Sequence, residues 1–459
     1  MLRIDIRRVG RQLGELSRRA PGAVRAAAAE GWYFHGDAMS QNRLRQLKFN
    51  YTSNIIANLI GGNFLTGLLI MMNADDGYIG LISIIAFAGN LFQLFSPLLL
   101  ERFAQRKLLL IRVRCAVMFL NIVALGAIPL LPAPGPAKLV AFASVVLVAN
   151  VLSAAIAPGF AVWHLQFTPW NMRARYFSFL SMSNGLVVAI AVLAGSKAAD
   201  IFEAAGLELE GLVILRLATA AIVVADLLQL RKMDEFPYPS DGARPSIKSI
   251  ALKPLRERKY LLTVGLACIW HFTANIPASY YSVYLLRDVG VSYSFITLVS
   301  MLNIPALIFL TPFWRKKLGK YSWFMVLGMA MGLYLLHLVG LSFVTARTIF
   351  LYPIILLYAY VLAVGINLSF TNIPYVNIPE KSQTVYIAFY STMANLAALL
   401  GATTGRMFVT RAAGLTVRLF GVSMGDKQLL MLLVAALMLV GAGAILLLER
   451  RTRAAADAG

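Results

Sequence analysis

Twelve apolar stretches, each long enough to cross a bilayer, alternate along this chain with polar connections. They lie near 49–73, 77–100, 107–131, 138–166, 175–199 and 211–230, then near 260–286, 291–314, 321–345, 348–376, 384–409 and 427–448. A helix needs about 20 apolar residues to span the hydrocarbon core, and in lipid every backbone polar group needs an internal partner. Together these rules predict an all-α integral membrane bundle. Composition agrees: hydrophobic residues make up 59% and charged residues 14% of the chain. Mean hydropathy is +0.72, whereas a soluble domain carries about 25% charged residues. Lipid is the main solvent.

The net charge is +21, which as a bulk property would suit nucleic acid. Its distribution argues otherwise. With the first span entering from the cytoplasm, 33 Lys/Arg fall on the cytoplasmic side and 8 outside, with Arg216 inside a span. This positive-inside asymmetry predicts cytoplasmic termini and names anionic lipid headgroups, not nucleic acid, as partners of the bases. Arg216, near the outer end of the sixth span, is expected to snorkel.

The longest polar interruption, residues 231–259, holds Pro237, Pro239, Pro245 and Pro254 among its bases and sits near mid-chain. It divides the sequence into a basic tail (1–47), a first six-helix half (48–230), a central cytoplasmic loop (231–259), a second half (260–449) and a short tail (450–459). In residues 1–31, Leu2, Ile6, Val9, Leu13 and Leu16 share a helical face flanked by arginines. That pattern fits a helix lying on an anionic membrane, or equally a disordered basic tail. Residues 1–47 contain no apolar stretch of signal-peptide type. Cys115 and Cys268 fall in different halves and read as two thiols.

The halves echo each other. Pro97, Glu101, Arg102 and Arg106 after the second span match Pro312, Lys316, Lys317 and Lys320 after the eighth. Pro169, Tyr176 and Phe179 match Pro379, Tyr386 and Phe389, and Thr52 and Asn54 match Thr273 and Asn275. Parallel repeats of this kind build rocking carriers with a site between the halves near mid-membrane.

On these features, over residues 48–450, the chain resembles the major facilitator superfamily in its prokaryotic form. The resemblance implies two pseudo-symmetric six-helix bundles, alternating access, a bacterial inner membrane and a monomer. The loop after the second span is similar to a degenerate form of the family's basic signature, with Pro97 and Ala104 in place of its glycines. By that resemblance Glu101, Arg102 and Arg106 are gate residues on the cytoplasmic side. The alternative is that these charges only anchor helix ends.

The resemblance also directs attention to the first, fourth, seventh and tenth spans as the path. Polar groups at depth are costly and face cavities or other helices. Asn54 and Asn58, Asn150, His271 and Asn275, Tyr280 and Tyr284, and Asn367, Asn372 and Tyr375 are the substrate-binding candidates. Amides and phenols both donate and accept, and rings stack on flat solutes. Interhelical hydrogen bonding is the plainer role for any single Asn.

Asp226 is the only acid within a predicted span, and a local partner such as Arg231 is expected for it. The cavity therefore reads as neutral, polar and aromatic. Its expected cargo is a small sugar- or nucleoside-like solute, carried by facilitation or by proton or ion coupling. Efflux of amphipathic aromatic compounds is the alternative, and a non-transporting sensor or lipid scramblase on the same fold is the reading from another class. The sequence has no phosphate-binding glycine loop, nucleophile elbow or metal-spaced Cys/His cluster. No enzyme activity, cofactor or metal is expected.

Overall fold

A computed structural model describes residues 37–457 apart from 101–102, 104, 169–172, 236–253, 374–376, 378–382 and 420–421. The tail reading for residues 1–31 lies outside the described residues. So do Glu101, Arg102, Tyr375 and most of the central loop.

The described residues form twelve helical rods. In the first half they are α1 (Ala38–Met71), α2 (Asp76–Leu91, extended by Phe92–Phe95 and Ser96–Leu100), α3 (Lys107–Leu130), α4 (Gly135–Leu165), α5 (Arg173–Ala204) and α6 (Glu208–Lys232). In the second they are α7 (Arg258–Val289), α8 (Tyr293–Lys320), α9 (Trp323–Ser342), α10 (Tyr352–Asn372), α11 (Gln383–Arg411) and α12 (Asp426–Asp457). A hairpin of β1 (Val417–Leu419) and β2 (Val422–Met424) joins the last two, with Val417 opposite Met424. Ten of the helices are long and apolar enough to cross a membrane. The fold is that of an integral membrane protein with two six-helix bundles.

Local chemistry sets the helix ends. Asp75, Ser292 and Ser322 cap α2, α8 and α9 by accepting the N–H of Tyr78 (2.6 Å), Phe295 (3.3 Å) and Met325 (3.1 Å). Each supplies an acceptor to a first-turn donor that the helix itself cannot satisfy. Asp37 does the same for α1 through Ser40, and this bonding holds its carboxyl below the ordinary carboxylate range. The rod α1 therefore starts well before residue 48, and Ser40, Asn42, Arg43 and Gln46 are buried in the bundle.

Each half has its own core. Tyr260, Trp314, Leu327, Leu338, Tyr386 and Val434 belong to the largest cluster, in the second half. Small residues let backbones close up. A Cβ at Gly401 or Gly405 of α11 would lie 2.2 or 2.0 Å from the carbonyl oxygen of Phe272 or Ile276 in α7. Gly328 of α9 makes room for the Leu446 side chain of α12. These glycine pairs work within one bundle, as expected for close helix packing.

Candidate functional site

The halves meet along two seams at the face opposite the termini. In one, α2 packs on α11; in the other, α5 packs on α8, the pseudo-symmetric counterpart. The first seam is ionic. Asp76, at the start of α2, accepts from Arg287 of α7 and, at 2.5 Å, from Lys427 of α12. Lys427 also reaches Asp288 (3.0 Å) and Asp426 (3.5 Å), and its side chain is only 6% exposed. Arg287 donates to the Ala74 carbonyl at 2.7 Å and Arg406 of α11 to that of Gly77 at 2.8 Å. Ser282 of α7 donates to Asn63 of α1 at 2.6 Å.

The second seam is neutral to acidic. Tyr293 of α8 donates to Glu208 at 2.9 Å and stacks on Phe64 with centroids 5.8 Å apart. Asp200 of α5 accepts the Ser294 N–H at 3.2 Å, and Ser196 pairs with Thr297 at 2.7 Å. A carboxylate at a helix N-terminus is favoured by the helix dipole. Val283 and Tyr293, although residues of the second half, are buried in the first half's core cluster. At the termini face three pairings each stay within one half and its flanking segments. Arg45 donates to Lys232, Trp163 to Asp234 and Tyr260 to Tyr386.

Between these faces lie the amides and rings expected to meet a solute. On α1, Asn54 donates to Asn50 at 2.8 Å and Asn58 to the Asn54 carbonyl at 2.9 Å, with Asn58 exposed. On α7, Asn275 donates to the His271 carbonyl at 2.7 Å. In each case the amide nitrogen bonds its own helix one turn back. The His271 ring lies 5.1 Å from Phe370 of α10 and 6.4 Å from Tyr390 of α11, centroid to centroid. The His271 Nε2 and the Tyr390 hydroxyl are both buried without a hydrogen-bond partner among the described residues. Buried polar atoms are ordinarily paired, and these two are exceptions. Trp270 extends the aromatic wall, 6.2 Å from Phe370 and 5.8 Å from Tyr334.

The other candidates divide. Tyr280 is buried between the halves, where a Cβ on Gly80 of α2 would sit 2.3 Å from its hydroxyl. Tyr284 is turned away: its hydroxyl donates to the Val344 carbonyl inside the second half's outer cluster. Asn150 of α4 presses on Gly89 of α2 and donates to Val146 at 2.8 Å, so it serves packing within one half. Asn367 is exposed on α10. Asn372 closes α10 and its side chain lies outside the described residues. The Arg106 and Lys107 N–H groups are capped by Glu235 at 2.5 and 2.8 Å, and the Arg106 Nε donates to Phe103 at 3.3 Å, all within the first half.

Two expectations are corrected. Asp226 pairs with Arg114 of α3 at 2.7 Å and with Thr52 at 2.9 Å, not with Arg231. Arg114 stays in the core because its guanidinium also lies 4.7 Å from the Phe49 ring and donates to Ser53. Arg216 does not snorkel: it is 3% exposed and donates to the carbonyls of Ile60 and Asn121, both at 2.6 Å. Sequence reasoning missed Tyr390, because α11 was not counted as lining the path. It also missed the ionic seam, although the Asp75-Asp76 pair in a short connection was a visible signal.

The sequence matches the Major Facilitator Superfamily over residues 51–402. The fold resembles a mutant of the nucleoside transporter NupG (TM-score 0.68, 10% identity, 88% of this chain and 99% of that one). It also resembles a D-xylose-proton symporter (0.64, 12%, 89% and 96%). A third likeness is to a bacterial homologue of the iron transporter ferroportin in an inward-facing state (0.63, 15%, 89% and 98%). No curated protein matches the chain in sequence. At these identities the likeness establishes the fold and leaves the cargo unassigned.

Proposed function

This chain belongs to the major facilitator superfamily, and we propose that it carries a small neutral polar solute, sugar- or nucleoside-like, by alternating access. One observation carries the reading. His271 Nε2 and the Tyr390 hydroxyl, two of the buried polar atoms without a hydrogen-bond partner among the described residues, sit among rings and beside Asn275. The buried charges of the first half are already matched, Asp226 by Arg114 and Arg216 by two carbonyls. A cavity built this way offers hydrogen bonds and stacking but no countercharge to an ionic cargo. The nucleoside and D-xylose carriers that share the fold transport solutes of this kind.

With the termini in the cytoplasm, as the distribution of bases supports, the sealed face is external and the carrier is inward-facing. In the opposite state the two outer seams part and the cytoplasmic ends close. Glu101, Arg102 and Arg106 are the proposed inner gate, and Asp76, Arg287 and Lys427 the outer one. Asn275, Tyr280 and Asn372 join His271 and Tyr390 as the proposed contacts.

A thermal-shift screen of the purified protein against sugars, nucleosides, amino acids and amphipathic aromatic compounds tests the cargo. A ligand stabilises the state it binds by mass action. Neutral polyols or nucleosides are expected to raise Tm, followed by their uptake into proteoliposomes. Stabilisation by amphipathic aromatics alone would replace this reading with efflux, for which the Trp270, Tyr334 and Phe370 rings are the supporting feature.

A further inference from the structure

We propose that Arg216 is the positioning residue of the outer gate, bracing the bend in α1 that carries the seam. The rod α1 is interrupted between Ile60 and Gly62: Gly61 is extended and Gly62 has φ +51°, a left-handed conformation that favours glycine. A helix end leaves its last carbonyls without intrahelical donors. In lipid such an end must find a partner inside the protein. Arg216 supplies it, donating from Nη2 to the Ile60 carbonyl at 2.6 Å.

Its other terminal nitrogen donates, also at 2.6 Å, to the Asn121 carbonyl. Asn121 lies in the π-helical turn Leu120–Ala124 of α3. One planar fork therefore ties α6 to the break in α1 and to the widened turn in α3. None of the ion pairs among the described residues includes Arg216. A buried guanidinium held by backbone alone is costly, and the two carbonyls it serves belong to the two irregular segments. The charge is placed to hold a shape.

The shape matters because of what lies beyond the break. The outer segment of α1, Gly62–Met71, brings Asn63 to Ser282, Phe64 to the Tyr293 ring and Gly67 against the Tyr293 hydroxyl. Both partner residues, Ser282 and Tyr293, belong to the second half. The angle of this segment decides whether the halves can meet, and Arg216 holds that angle from behind.

The test reads gate geometry separately from stability. In a background with Cys115 and Cys268 replaced, single cysteine reporters are placed by Val283→Cys, fully buried at the seam, and by Ala267→Cys, fully buried in the second half's core. A membrane-impermeant maleimide is applied from the face opposite the termini to the full-length protein in liposomes. Arg216→Lys keeps the charge but cannot fork between two carbonyls. It should speed labelling at the Val283 position by about ten-fold, the population change that losing one hydrogen bond to a charged group brings, with the Ala267 position unchanged. Arg216→Met should do the same more strongly.

Equal acceleration at both reporters would mean general loosening and overturn the proposal; so would no acceleration at either. Gly62→Val leaves Arg216 in place but disfavours the bend, and gives the same reading if the Arg216 variants do not accumulate. A closed seam in that variant would also overturn the proposal.

Discussion

The two halves share a fold and differ in what they bury. The first buries Arg114 paired with Asp226 across α3 and α6, Arg216 on the carbonyls of α1 and α3, and Arg43 on the Phe167 carbonyl. The corresponding depth of the second half is built from rings and aliphatic side chains, with His271 and Tyr390 keeping polar atoms unpaired, as His164 and Asn184 do in the first. A matched buried charge network is rigid, since removing one member strands the other. Unpaired neutral groups cost less and leave hydrogen-bonding capacity for a guest. The first half is thus braced by buried charge, and the second half's neutral groups are the ones proposed above to meet the solute.

The largest break in that comparison is expected from Asp226→Ala. It strands the Arg114 guanidinium in the core and should cost about 3–5 kcal/mol in thermal or denaturant unfolding. Replacing both Arg114 and Asp226 by Leu should recover most of that loss. A double variant as unstable as the single one would show that the pair is not the unit of stability.

Next in size is Gly401→Leu in the second half, where the added side chain meets the Phe272 backbone. Overpacking of this kind costs about 1–3 kcal/mol, and the unfolding midpoint reads it. Because α7 and α11 would be pushed apart next to His271 and Tyr390, transport should fall as well. Normal transport with a lowered midpoint would separate packing from the site.

Asp76→Asn sharpens the contrast between the two outer seams. It removes the charge that holds Arg287 and Lys427 to α2 and leaves the Tyr293–Glu208 seam intact. An ion network at partly exposed positions is worth about 1 kcal/mol, roughly five-fold in the population open to the outside. Labelling of a cysteine introduced at the seam checks it, and an unchanged rate would make the ionic seam a bystander.

The smallest stability effects belong to the proposed contacts. Tyr390→Phe and Asn275→Ala should shift stability by no more than about 0.5 kcal/mol. Each should weaken apparent solute affinity about five-fold, the loss of one ordinary hydrogen bond. Unaltered uptake kinetics in both would remove them from the path.

Much of this was legible in the chain. Apolar run length predicted the rods to within a few residues in most spans; α1 starts earlier because its polar first turns are buried against neighbours, and α12 runs on to Asp457. Gly401 and Gly405, four residues apart, have the small-residue spacing that close helix packing uses. Asn54, Asn275 and His271 were candidates because the resemblance pointed to their spans and they are polar at depth, but depth cannot say which way a side chain turns. Tyr284 bonds Val344 in its own half, and Asn150 packs on Gly89.

By itself the sequence determined the membrane bundle, its two halves and the side favoured by the bases. Lipid imposes span length and charge placement locally, so single segments carry that information. Only the tertiary structure decided which charges meet. Arg114 finds Asp226, Arg216 finds Ile60, and Asp76 finds Lys427 across the length of the chain. The physical reason is that a charge in lipid is tolerated only beside its partner, and partner identity depends on how distant helices pack.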